Sequence, residues 1–268
     1  MAAAGSPRID AYAVLSDAPP TDRVAIAAEL ALSDRDPPLD CPAYRAALRK
    51  AVSEEPPPFS TEAYAKIYRD SSVSGKWLAI SLISNAQREG QGAGDLWTLA
   101  ACADNEAERQ LIKRHAVDES RHARLYLALL DLAFPDAVDP AFRKELDVVS
   151  PGFTMAQEPS VVVGSPYATR PTIDLYVQMN IAEIRTTIHH LLQRAALALH
   201  CPAANLPRAT KVLDSLFRDE LSHVSYTAEL IETKASAAGP GGLDGLYRRR
   251  LADFNRITND EFGMTIHD

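Results

Sequence analysis

Two segments of this chain read Asp-Glu-x-x-His: Asp118-Glu119-Ser120-Arg121-His122 and Asp219-Glu220-Leu221-Ser222-His223. With 15 glutamates and 7 histidines in 268 residues, chance supplies about 0.4 Glu-x-x-His matches, and a preceding aspartate lowers that about tenfold. Residues three apart on a helix share a face, so a carboxylate oxygen and an imidazole nitrogen can reach one metal ion or two adjacent ones. The same stripes carry Ile112, Tyr126 and Leu130 around the first motif, and Leu213, Leu216, Phe217, Thr227 and Leu230 around the second. Glutamate and histidine on an apolar stripe face the interior, where an unpaired carboxylate is costly. A buried cation answers that cost. The alternative is two surface Glu–His contacts worth a few tenths of a kcal/mol each.

The elements that must position these motifs follow from periodicity and breakers. From about residue 72 the chain becomes long stretches of helix formers with apolar residues three and four apart. A first long helix is expected over about 74–102, through Trp77, Ile80, Ile83, Ala86, Leu96, Trp97 and Ala100, with Gly90, Gly92 and Gly94 as its weak point. Asp104-Asn105-Glu106 supplies a cap and early acids for a second, extending to Leu132 and ended by Pro135 and Pro140. The stretch from about 135 to 170, with five prolines and two glycines, reads as a long connection able to cross the molecule. A third helix is expected over about 172–199, a fourth over about 208–235 and a last over about 243–260. Residues 1 to about 70 are rich in proline and alanine, with short helical stretches such as 22–32 and 42–52, and read as a wrapping segment. Short links within each pair of long helices and a long crossover between pairs describe an all-α, ferritin-like four-helix bundle with additional N- and C-terminal helices. The whole of 1–268 is read as one domain, with its core over about 74–235.

A dinuclear site needs one more carboxylate from each of the other two long helices. Glu183 is the one glutamate in the middle of the third helix, flanked by apolar neighbours at helical spacing. On the first helix the choice is Glu89, because Glu106 and Glu108 sit in the first turn of the second helix, where the helix dipole explains acids. Glu89 lies as far before the turn near residue 104 as Glu119 lies after it, so both reach one height in an antiparallel hairpin. The alternative for Glu89 is a solvated place in a frayed glycine-rich loop.

Charged residues make up 24% and hydrophobic ones 46% of the chain, the balance of a globular protein. No apolar run approaches the roughly 20 residues that cross a bilayer, and Met1–Pro7 has neither a basic nor an apolar leader region, so a cytoplasmic protein without a membrane partner is expected. A net charge of −8 argues against nucleic acid, and Arg248-Arg249-Arg250 reads as a solvated helix face. Cys41, Cys102 and Cys201 are odd in number and far apart, and read as reduced, mostly buried thiols.

This pattern of four helices resembles the ferritin-like di-iron carboxylate proteins, which include the hydroxylase subunits of bacterial multicomponent monooxygenases, the radical-generating subunit of ribonucleotide reductase, and p-aminobenzoate N-oxygenase. The resemblance covers roughly residues 74–235. It implies iron ligands Glu89, Glu119 and His122 from the first hairpin and Glu183, Glu220 and His223 from the second. It also implies that Asp219 holds His122 and Asp118 holds His223, fixing each imidazole; ordinary salt bridges to Arg121 or Arg218 are the alternative. Thr187, one turn after Glu183, matches the place where monooxygenase relatives carry a threonine on the oxygen-binding side, or it bonds back to its own helix. N-oxygenase relatives use a seventh ligand, a histidine four residues before the glutamate of the second motif. Here that position is Leu216, while His115 has the same spacing in the first motif. His190, seven after Glu183, also points inward, as a ligand or as a satisfied core histidine. Tyr126 and Tyr226, one turn beyond the two motif histidines, read as core packing, with a radical or proton carrier as the alternative.

The chemistry implied is an O2-activating non-haem di-iron oxygenase or oxidase. Its partners would be O2, a small organic substrate and an external electron donor, since no reductase, flavin or iron–sulfur motif occurs; a homodimer is left open. Four carboxylates and two imidazoles accept two Fe ions and also Mn. Manganese catalase, a peroxidase-like di-metal protein and a non-catalytic metal-binding helical protein are therefore the competing readings. Iron storage is disfavoured by the wrapping segment and long crossover.

Overall fold

The computed structural model describes residues 10–135, 137–238 and 242–262, with side chains to 260. The leaderless start read at Met1–Pro7 lies outside these residues. Among the described residues the fold is all-helical, with ten α-helices and no strand. No helix among them is long and apolar enough to cross a membrane.

Three short helices, α1 (Ala11–Asp17), α2 (Arg23–Ser33) and α3 (Pro42–Glu54), open the chain, followed by α4 (Glu62–Ser72). The four long helices are α5 (Gly75–Ala101), α6 (Glu106–Ala133), α8 (Ile173–His200) and α9 (Leu206–Lys234), with α7 (Pro140–Leu146) between the pairs and α10 (Gly242–Phe262) at the end. Their starts are written in side chains: Ser74 caps α5 through the Trp77 amide, Asn105 caps α6 through that of Glu108 at 3.0 Å, and Thr172 caps α8 through that of Leu175 at 3.3 Å. The ends of α6 and α8 fall just before Pro135 and Pro202, which cannot continue a helix.

Helices α5 and α6 pack as one hairpin and α8 and α9 as another, and α6 against α9 joins the two. The α5–α8 seam is the loosest of the four, with α4 packed against both of its helices. Outside this bundle, α2 lies on α8 and α9, while α10 lies on α3 and α8. One apolar cluster runs from Leu15 through the four long helices to Leu251, so the wrapping segment is built into the core.

Three local expectations are corrected. The 135–170 connection contains the helix α7, because Asp139 caps the amides of Ala141 and Phe142 and Pro140 stands in its first turn. Ile80, assigned to the apolar stripe of α5, is 53% exposed, since that face lies outside the bundle. Glu108 is more than a capping acid: it is buried and meets the Tyr176 hydroxyl and, at 3.0 Å, Lys234 Nζ. The glycine run does not interrupt α5. At Gly90 a Cβ would stand 1.8 Å from the Val149 carbonyl oxygen, so the absent side chain is what lets the crossover lie against the helix. Phe153 then stacks on Trp97 at 4.3 Å between centroids, and the Phe153 and Val162 amides donate to Ser120 Oγ and Thr98 Oγ1.

Candidate metal centre

Helices α5, α6, α8 and α9 carry Glu89, Glu119 with His122, Glu183, and Glu220 with His223 to one level of the bundle interior. Glu119, His122, Glu183, Glu220 and His223 are buried, and Glu89 is the least enclosed. Two groups have donor atoms within 4.8 Å of one another: Glu89, Glu119 and His122, and His115, Glu119, Glu183 and His223. Glu119 is common to both. Glu220 joins them from the opposite helix, with Oε1 3.4 Å from His122 Nδ1 and Oε2 3.2 Å from His223 Nδ1. The buried cluster is therefore two-lobed and can hold metal.

His115 is part of it. Its Nε2 stands 3.1 Å from Glu119 Oε1 and 3.3 Å from Glu183 Oε1, and its ring centroid is 3.7 Å from that of His223. His190 is not in either group. Its Nε2 pairs with Tyr126 Oη at 2.9 Å, and burial drives its pKa down to about 3, so it is a neutral core histidine. Thr187 Oγ1 donates to the Glu183 carbonyl at 2.8 Å, so its hydroxyl is spent on its own helix rather than offered to the centre.

The three central imidazoles share one arrangement, in which one nitrogen faces the carboxylates and the other is held from behind. His122 presents Nδ1 inward and sets Nε2 3.3 Å from Asp219; His223 presents Nδ1 and sets Nε2 3.5 Å from Asp118; His115 presents Nε2 and sets Nδ1 2.7 Å from Tyr226 Oη. Both aspartate contacts expected from the family pattern are formed. The salt-bridge alternative is formed as well, since Arg121 Nη2 reaches Asp118 at 3.0 Å and Asp219 at 2.8 Å. Tyr226, read as packing, is the partner of His115. Its place one turn after His223 was the available signal.

Four carboxylates converging inside a bundle make one another's ionisation costly unless a proton or a neighbouring positive charge offsets it. Burial, reinforced by the charge of Glu119, holds Glu89 well above the ordinary carboxylate range; burial also raises Glu220, helped by Glu183 and Glu119 against the pull of His223. Burial works against ionisation of Glu119 too, but its hydrogen bond with Glu89 and the nearby His122 and His115 outweigh it and bring its pKa to about 2. Glu183 is likewise lowered, by His115 and His223 against burial. Burial would discharge His223 and His115, yet the surrounding carboxylates raise both. Even so, His122 Nδ1 and Glu220 Oε1, fully enclosed and aimed at each other across 3.4 Å, have no hydrogen-bond partner. An imidazole nitrogen and a carboxylate oxygen enclosed in this way offer lone pairs that a cation can take up.

Behind the His115 side, His115, Glu119 and Glu183 also line a cavity of about 150 Å³ along the α5–α8 seam. Comparison with protein-family models, curated proteins and solved structures finds no match to this chain.

Proposed function

We propose that the chain is a ferritin-like, non-haem di-iron oxygenase or oxidase that uses O2 to oxidise a small organic substrate by hydroxylation, N-oxygenation, desaturation or oxidative cleavage. One observation carries the reading: Glu89, Glu119, His122, Glu183, Glu220 and His223 converge from four helices, with His122 Nδ1 and Glu220 Oε1 left unpartnered at the point of convergence. In this reading Glu89, Glu119, His122, Glu183, Glu220, His223 and His115 would hold the two ions. Two bound ferrous ions would supply electrons to O2.

The chain's own residues do the rest. Asp118, Asp219 and Tyr226 hold the outer nitrogens of the three imidazoles, which keeps each inner nitrogen presented as a lone pair and each ring in one orientation. Tyr126 and Tyr226, whose phenols burial holds well above their usual range, stay protonated and keep the interior free of further negative charge. The lobes are unequal, with one imidazole against two, and the nitrogen-richer lobe borders the cavity. Inserting one oxygen atom of O2 leaves the other to become water, which requires an electron pair and protons from an external donor.

The test is metal analysis and an optical spectrum after anaerobic Fe(II) loading and exposure to O2. About two irons per chain and a transient visible band are expected. Two manganese ions with peroxide dismutation would instead favour a catalase, and absence of bound metal from protein refolded or expressed with either ion would overturn the proposal.

A further inference from the structure

The cavity beside His115, Glu119 and Glu183 has features that select what enters it. Its α5 wall is made by Gly92, Asp95 and Leu96, and the glycine is the telling one. A glycine inside a helix is destabilising relative to alanine, and packing does not require this one, since a Cβ there would meet nothing within 4 Å. What the missing side chain provides is open volume one turn from Glu89 and next to the centre. At about 150 Å³ the cavity is well below the roughly 300–1,000 Å³ of drug-sized sites, and an apolar cavity of about this size accommodates benzene. Leu96, Met179 and Phe254 give it apolar walls.

Its charge is one-sided. Beyond the residues of the metal centre, the charged group in the lining is Asp95. The Asp95 carboxylate takes a hydrogen bond from the neutral Ser165 hydroxyl at 2.7 Å, and it lies close enough to Tyr167 to help burial push that phenol up. Arg250, which acts on Tyr167 with the opposite sign, is occupied by Asp174 and Asp253. Tyr167 Oη accepts from Gln178 Nε2 at 2.8 Å, so the phenol proton remains for a ligand or for Asp95. A carboxylate on a small apolar cavity favours a cation and disfavours an anion.

We infer that this cavity takes a small amine, with its ammonium group at Asp95 and an apolar body about the size of a benzene ring turned toward His115, Glu119 and Glu183; that the amine is the molecule oxidised rests on the function proposed above. The inference deepens that reading by naming the substrate class.

Isothermal titration of the full chain, loaded anaerobically with Fe(II), with benzylamine, benzyl alcohol and benzoate tests it. Benzylamine should bind at least about tenfold more tightly than the other two, as a charge-assisted contact gives. Asp95→Asn, which keeps an acceptor for Ser165, should erase most of that preference. Gly92→Leu should abolish binding of benzylamine with iron content and far-ultraviolet dichroism unchanged. Benzoate binding as tightly as benzylamine, or wild-type binding in Gly92→Leu, would overturn the inference. The same titration on metal-free protein separates the two claims. Benzylamine binding there, lost in Gly92→Leu, supports the cavity even if the chain fails to hold iron. Binding seen only with iron and indifferent to Asp95→Asn would be ligation of the metal by the amine, and would sink it.

Discussion

His122, His223 and His115 owe their orientation to Asp219, Asp118 and Tyr226, and a metal ligand loosened from behind binds more weakly. Asp219→Asn should therefore lower metal affinity by about 10- to 100-fold while leaving the six carboxylate and imidazole ligands in place. Competition with a chelator measures this, and unchanged affinity would reduce the Asp219 contact to a by-product of the Arg121 bridge. Glu119, shared by both donor groups, should be the most damaging single loss: Glu119→Ala is expected to empty both lobes, where His115→Ala empties at most one. Proton inventory gives a second check. Glu89, Glu220, His115 and His223 are all shifted toward holding protons in the metal-free centre, so anaerobic Fe(II) addition near neutral pH in weak buffer should release acid. Titration with no proton release would mean that metal binds elsewhere. At this scale the sequence was informative wherever a helical spacing carried the signal, as in Glu119-x-x-His122 and the matched heights of Glu89 and Glu119. It did not decide His115 against His190, because both lie on inward stripes; what separates them is the partner each meets across the bundle, Tyr226 with the carboxylates for one and Tyr126 alone for the other.

Helix α5 turns three glycines, a weakness in propensity, to separate uses. Gly90 admits the crossover, Gly92 borders the cavity, and Gly94 meets nothing at its Cβ position. Gly90→Ala must displace the Val149 carbonyl and should cost about 1–3 kcal/mol, as overpacking does. Gly94→Ala should stabilise by roughly 0.5–1 kcal/mol through helix propensity. Urea midpoints of the two variants compare them directly, and a destabilised Gly94→Ala or a neutral Gly90→Ala would contradict the packing described. The long helices were legible because caps, apolar period and prolines agree on their limits; α8, expected over about 172–199, spans Ile173–His200. Helices α1 and α7, of seven residues each and flanked by turn residues, give a periodicity window too few positions to register them. The path of the crossover was illegible for another reason: Gly90 with Val149, Trp97 with Phe153 and Thr98 with Val162 are contacts between residues more than fifty apart, which no local pattern encodes.

Taken as a whole, the molecule buries a polar centre inside an apolar cluster that reaches from Leu15 to Leu251, so the state of that centre bears on global stability. Without metal the sign is set by the four groups whose pKa values are raised from 4.5 for Glu89 and Glu220 and from 6.5 for His115 and His223. A raised group contributes stability that is complete below its unfolded value and is lost as pH climbs through its folded value. Glu119 and Glu183 are shifted the other way, and what they contribute is lost only as pH falls into the acid range. Between about pH 7.5 and 8.5 the lowered His189 and His190 are uncharged whether folded or unfolded, so the raised groups are what changes at the centre, and the metal-free protein should lose thermal stability as pH rises. With metal the dependence reverses in the difference, because the ligands must be deprotonated to bind and binding tightens toward alkaline pH. A ligand at about 100 times its Kd contributes about 2.7 kcal/mol, which for a chain of this size is a Tm increase of roughly 5–10 °C. Scanning calorimetry of metal-free and Fe(II)-loaded protein under argon across that pH range should show the gap between the two Tm values widening with pH. A gap that is constant, or that narrows, would mean that the buried carboxylates and imidazoles are balanced among themselves and that no ion takes the place of their protons.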